Sequence, residues 1–288
     1  MTKKQKEMLA VYKKANKEAR VKLLDKYGFI SETKFYEFLE VESVVKTKET
    51  KKKKEENTPV DVVIAFDTTG SMSSYIQSVR DHAKETVKEL FKNSPNLKMK
   101  IVAFGDYCDM KSKDNFGRAY QESELTSDVN NLVDFIDTAE NTSGGDNDEF
   151  YELVIKKITE ETPWRGGKRS VLFIADCDPH EVGYTYIDRV QDNQIDWKEE
   201  AKKAAKFGIQ FDTLQIHACA KWYKELSEIT GGVNMNFKNA NKISDIVVGT
   251  TYARTSKEAF TTAYTSAMTS GDSELIGAYK RMSTLVED

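Results

Sequence analysis

Val60-Asp61-Val62-Val63-Ile64-Ala65-Phe66-Asp67-Thr68-Thr69-Gly70-Ser71-Met72 sets a nearly unbroken apolar run directly against a turn of carboxylate and hydroxyl side chains. A short Val/Ile-rich run of this kind suits a strand, residues 60–66, buried on both faces. The period then changes. Ile76, Val79, Ala83, Val87, Leu90 and Phe91 recur at three- and four-residue steps and predict a helix over residues 73–92. Outward from there the same alternation continues. Strands are predicted at 99–104, 119–125 (polar, an edge strand), 170–175, 209–216 and 233–237. Helices are predicted at 129–138 behind the capping residues Ser127 and Asp128, then at 150–161, 197–207, 221–230 closed by Gly231, and 243–252. Strands alternating with helices imply right-handed crossovers and an α/β fold: a doubly wound, mostly parallel sheet flanked by helices.

Such sheets bind ligands beyond the carboxyl ends of their strands. The loops after Phe66, Phe104 and Ala175 are all acidic. Asp67, Thr69 and Ser71 place three oxygen donors at i, i+2 and i+4, Gly70 lets the turn bend, and a helix N-terminus follows. Asp176 ends the strand predicted at 170–175 and brings a second carboxylate to the same edge. Thr142-Ser143-Gly144-Gly145-Asp146-Asn147-Asp148-Glu149 forms an acidic loop between them. Carboxylate plus neutral hydroxyl oxygen is a donor set for a hard divalent cation, Mg2+ fitting best and Mn2+ next. A cation with hydroxyl ligands stays electrophilic enough to take one more anion, such as a partner's carboxylate.

Phe66-Asp67-Thr68-Thr69-Gly70-Ser71-Met72 resembles the D-x-[ST]-G-S form of the metal-ion-dependent adhesion site of von Willebrand factor A (vWA) domains, and the order of segments over about residues 59–250 agrees. The resemblance implies a vWA/Rossmann-like fold, with Asp67, Thr69 and Ser71 as first-loop ligands and Asp176 as the aspartate ending the fourth strand. It also implies a protein partner offering an exposed Asp or Glu. Gly144-Gly145-Asp146 stands where the family usually offers a threonine, so either Asp146 or Thr142 is the second-loop ligand. Gly105-Asp106-Tyr107, residues 144–149 and residues 175–180 look most like the intracellular branch of the family, including A domains that accompany atypical kinases; no kinase domain is present in this sequence.

A second reading stays open. An aspartate ending a buried strand before Thr and Thr-Gly-Ser also resembles the phosphorylated turn of haloacid-dehalogenase-like enzymes, with Asp67 as nucleophile and Lys168, Asp176 and Asp178 as helpers in a Mg2+-dependent phosphatase or phosphotransferase. Lys168 precedes its strand, however, which puts it at the edge opposite Asp67. No catalytic residue is otherwise assigned, and a binding module rather than an enzyme is expected. Asp106 and Asp109 suit either a solvated loop or support of the site. Glu149 suits the helix dipole. His180 stands at the rim with no evident base partner, His217-Ala218-Cys219 lacks further ligands, Cys177 suits a small buried hydrophobe, and Trp164 and Trp197 suit packing.

The remainder of the 288 residues is appendage. Residues 1–54 hold sixteen Lys and Arg against eight Asp and Glu, a net of +8, so the rest carries −12 of the total −4. Leu9, Tyr12, Ala15, Ala19, Leu23 and Tyr27 predict one amphipathic helix ending near Gly28, and residues 32–39 a second. The apolar cluster of Phe29, Ile30, Phe35, Tyr36, Phe38 and Leu39 needs a docking surface on the chain or a partner. The expected organisation is a helical arm (1–45), a Lys-rich linker (46–58), the α/β domain (59–252) and a helical or partly disordered tail (253–288). Lys51–Lys54 have no interleaved aromatics, which favours a solvated linker over a nucleic-acid patch. No apolar stretch reaches the roughly 20 residues of a membrane span. Three cysteines without CxxC spacing and no signal-peptide pattern point to a reducing cytoplasm.

Overall fold

The apolar run becomes β1 (Val60–Asp67), buried along its whole length between two parallel neighbours, β2 (Leu97–Phe104) and β5 (Lys168–Ala175). Its side chains alternate as a strand requires. Val62, Ile64 and Phe66 enter one apolar layer and Val63 and Ala65 the other. This arrangement is seen in a computed structural model of the chain, which describes residues 3–27, 32–38, 58–185, 194–216 and 220–286.

The sheet is completed by β3 (Tyr120–Glu122), at the edge as its polarity predicts and antiparallel on β2, and by the parallel strands β7 (Ile209–Gln215) and β8 (Asn234–Asn236). Strand order is β3-β2-β1-β5-β7-β8. The order reverses direction at β1, so the crevice between β1 and β5 is the topological switch point where α/β sheets take their ligands. A short separate pairing joins β4 (Asp148–Glu149) to β6 (Asp178–Pro179) and ties two of the loops at that edge together.

One face is covered by α4 (Ser73–Asn93), α5 (Val129–Thr138), α9 (Ile243–Thr255), α10 (Lys257–Thr269) and α11 (Ser273–Met282). The other is covered by α6 (Tyr151–Glu161), α7 (Trp197–Lys206) and α8 (Lys221–Thr230). The sequence beyond Thr255 is Thr- and Ser-rich, yet Phe260, Ala267, Leu275, Tyr279 and Met282 are buried in the same apolar layer as Val62 and Ile64. A buried ion pair holds α9 to the sheet. Arg254 donates to Asp212 Oδ1 at 2.6 Å and Oδ2 at 3.2 Å, and Asp212 is fully enclosed in β7.

The chain divides into two compact units, Met1–Thr58 and Pro59–Asp288. In the first, the single helix that periodicity predicts is interrupted. Asn16 accepts a hydrogen bond from the Ala19 N–H at 2.9 Å and caps a new helix, giving α1 (Lys3–Lys14) and α2 (Lys17–Lys26). With α3 (Glu32–Phe38) they bury Tyr12, Phe35 and Tyr36 against Met8, Leu9, Leu23 and Leu24. Phe29, Ile30, Leu39, the Lys46–Lys54 region and His217-Ala218-Cys219 lie outside the described residues. Among the described residues no helix is long and apolar enough to cross a membrane.

Candidate metal centre

β1 delivers Asp67 to the carboxyl edge, and the turn after it folds back onto that carboxylate. Oδ1 accepts from the Thr69 backbone N–H at 2.7 Å and from the Thr69 hydroxyl at 2.6 Å. The Thr69 hydroxyl lies 3.5 Å from that of Ser71, which is exposed. A tight 3-10 turn, Gly70–Met72, runs from here straight into α4. Oδ2 of Asp67 accepts from the Tyr151 hydroxyl, which itself accepts from the Cys177 N–H at 3.3 Å. Burial pushes the Asp67 carboxyl up to about 7 against these hydrogen bonds, and the nearby Asp176 charge adds to the rise.

Asp176 follows β5 and is half-buried. Its loop is pinned through Cys177, whose carbonyl accepts from Trp222 Nε1 at 3.0 Å and from the Tyr223 hydroxyl at 2.8 Å. The Cys177 thiol lies 3.4 Å from Asp176 Oδ1. Burial and the Asp176 and Asp67 carboxylates push that thiol far above its ordinary range, so it is a weak nucleophile.

The acidic loop is held from below. The Thr142 N–H donates to the Thr68 carbonyl at 3.0 Å, and the two hydroxyls are also 3.0 Å apart. Since the Thr68 hydroxyl donates to the Phe104 carbonyl at 2.8 Å, the proton between the hydroxyls is Thr142's. Asp109 accepts from the Ser143 N–H at 3.0 Å and the Gly144 N–H at 3.1 Å, with Arg118 3.4 Å away. Gly144, at a positive φ of 67°, lies so close to Glu149 Oε1 and the Thr69 methyl that a Cβ there would meet the carboxylate at 2.7 Å. Glu149 is buried and its Oε2 has no hydrogen-bond partner. Burial, then the charges of Asp67, Asp106 and Asp109, push its carboxyl up to about 10.

Asp67 and Glu149 thus share one buried neighbourhood, and among the described residues no ammonium or guanidinium hydrogen-bonds either of them. Two uncompensated carboxyls beside the Thr69 and Ser71 hydroxyls fit a hard divalent cation. Of the five residues singled out in the sequence as metal ligands, Asp67, Thr69 and Ser71 share one turn and Asp176 ends the neighbouring strand. Asp146 accepts from the Tyr184 hydroxyl at 3.1 Å and groups with Asp106 and His180, and its charge also acts on Glu149.

The sequence reading missed Tyr151 altogether and gave Glu149 only a helix-dipole role. An aromatic residue with a polar tip, opening a helix straight after an acidic loop, is the signal for the first. His180 does have a partner, Asp106, at 2.7 Å. Lys168 pairs in register with Val60 at the start of β1, and its Nζ donates to the Arg254 carbonyl at 3.3 Å. Seven residues of strand, roughly 23 Å at about 3.3 Å each, separate that end from Asp67.

A sequence profile of the von Willebrand factor type A domain matches residues 61–248. A putative ariadne-like RING finger protein of Acanthamoeba polyphaga mimivirus is 23% identical over 194 residues, 64% of this chain and 19% of that protein. Among solved structures, the pilus adhesin SpaC of Lactobacillus rhamnosus GG in its open conformation superposes with a TM-score of 0.51 at 12% identity, covering 68% of this chain and 30% of the adhesin. A second structure of SpaC gives 0.51 at 14% over the same shares. The chain therefore spans about a fifth of the curated relative and under a third of the adhesin, and the adhesin likeness is one of fold.

Proposed function

Because the chain belongs to the von Willebrand factor type A domain family, we propose that it is a Mg2+-dependent protein-interaction module that captures an exposed Asp or Glu of a partner protein. Asp67, Thr69, Ser71 and Asp176 hold the cation, directly or through water, with Mn2+ as the alternative ion. Glu149 supplies a second-loop oxygen, the role for which Asp146 and Thr142 are the sequence candidates. A cation held there supplies an electrophilic position for the incoming carboxylate. The supporting observation is the uncompensated burial of Asp67 and Glu149 beside two hydroxyls.

The chain's own residues divide the work. Tyr151 donates to one oxygen of Asp67 while Thr69 donates to the other, so the carboxylate is fixed before any ligand arrives. Asp109 and Thr68 hold the acidic loop through its backbone and Thr142. The exposed Ser71 leaves the centre within reach of a partner's side chain. The reducing, cytoplasmic setting expected from three cysteines without CxxC spacing is part of this reading.

The phosphotransfer reading needs a cation beside the Asp67 carboxylate to hold transferred phosphate. Lys168 lies at the far end of the strand and is bonded to Arg254. Calorimetric titration of Mg2+ into wild type and Asp67→Ala, with a phosphatase assay on p-nitrophenyl phosphate, separates the two. Binding lost in the variant without turnover supports the module. Phosphate release that depends on Asp67 overturns it.

A further inference from the structure

Beside the proposed adhesion-type centre, and sharing none of Asp67, Thr69, Ser71 and Asp176, is a second polar cluster. Asp106 follows β2, Asp146 lies in the acidic loop and His180 follows β6. One oxygen from each carboxylate and one ring nitrogen of His180 lie within 4.8 Å of one another. Asp106 is fully buried and His180 is 2% exposed, yet Oδ2 of Asp106 and Nδ1 of His180 have no hydrogen-bond partner. Leaving two such atoms dry and unpaired disfavours the folded state unless something else fills them. The His180 ring is held in place, stacked on Tyr184 at 3.5 Å and 18°, with Tyr107 on it at 5.6 Å. Tyr184 in turn donates to Asp146.

We propose that Asp106, Asp146 and His180 form a second metal site, for Zn2+ or a divalent transition ion of similar chemistry. An imidazole ligand selects such ions over Mg2+ and Ca2+, which prefer all-oxygen shells. Zinc bonds of about 2.0–2.2 Å place tetrahedral ligands roughly 3.3 Å apart, so side-chain adjustments within the cluster suffice. Three ligands on three loops make the ion a clamp. It joins the loop after β2 to the acidic loop and to the β4–β6 pairing, where the His180 N–H also donates to the Glu149 carbonyl at 3.2 Å. Asp146 is exposed, which leaves the fourth position to water.

The test is competition of the metal-stripped 288-residue chain against a chromophoric zinc chelator, in excess Mg2+, for wild type, Asp146→Asn, His180→Gln and Asp67→Asn. One Zn2+ per chain is expected for wild type, weakened about tenfold or more by Asp146→Asn and by His180→Gln, and unchanged in Asp67→Asn. Asp146 is on the surface and Asn retains an acceptor for one of its two donors, the Asp148 N–H and the Tyr184 hydroxyl, so that variant reads affinity rather than folding. Absence of stoichiometric zinc in wild type, or zinc binding indifferent to Asp146→Asn, overturns the site. Zinc lost in Asp67→Asn and kept in Asp146→Asn overturns it equally, by placing the ion in the other centre.

Discussion

Replacing Asp67 by Asn should make the metal-free protein more stable at pH 8 and blind to Mg2+. Burial lifts this carboxyl from 3.8 to about 7. At about 1.4 kcal/mol per pH unit, that is about 4 kcal/mol held against the folded state once the group ionises. The folded state keeps its proton between pH 4 and 7 while the unfolded chain gives it up. Stability from this group is therefore fully present below pH 4 and is lost as pH rises to about 7. Asn keeps an acceptor for Thr69 but withdraws the one that Tyr151 uses, a loss of about 1 kcal/mol. The net gain at pH 8 is about 3 kcal/mol, whereas at pH 4 the variant is the less stable of the two. Mg2+ at a hundredfold excess over its Kd should add about 2.7 kcal/mol to wild type and nothing to the variant. Urea unfolding followed by far-UV circular dichroism at pH 4 and pH 8, in EDTA and in Mg2+, measures all four terms. Parallel pH profiles for the two proteins in EDTA would refute the reasoning, because they would mean that Asp67 carries no uncompensated charge.

Three other changes probe the supports. Tyr151→Phe removes one hydroxyl from an otherwise packed ring, so it should weaken Mg2+ about tenfold in calorimetry while folding stability falls by only about 1 kcal/mol. Gly105→Ala drives a methyl to 2.4 Å from the Thr142 hydroxyl and 2.6 Å from the Thr142 Cβ; it should cost about 1–3 kcal/mol in chemical denaturation and lower Mg2+ affinity, and a Gly105→Ala, Thr142→Gly double variant, which removes that Cβ too, should recover part of the stability. Arg254→Met strands the buried Asp212 carboxylate and should destabilise by about 3–5 kcal/mol, with Mg2+ affinity unchanged at temperatures where the variant remains folded.

The first loop was legible because its geometry is local. Asp67, Thr69 and Ser71 converge through spacing alone, and the apolar run before them names its strand. Asp176 was legible by position, as the residue after a second such run. The acidic loop was not, because its shape is set from afar. Thr142 is fixed by Thr68, 74 residues earlier, and Ser143 and Gly144 by Asp109, so which oxygen faces the centre depends on contacts that no window of sequence contains. Tyr151 looks like any core aromatic until its hydroxyl is placed. His180 lacked a partner in sequence because Asp106 is 74 residues away. The break at Asn16 is the opposite case: a local cap was present, and the apolar periodicity running through it masked the signal.

Trp222 gives the centre an optical consequence. Its indole lies 5.4 Å from the Tyr151 ring and 5.9 Å from Trp197, and its N–H holds the Cys177 carbonyl beside Asp176. Any shift of Asp67 or of its loop passes through one hydroxyl and one carbonyl to an emitting chromophore. The chain thus carries an intrinsic fluorophore wired to its proposed ligand site, and its emission and near-ultraviolet dichroism can follow occupancy in real time without a label.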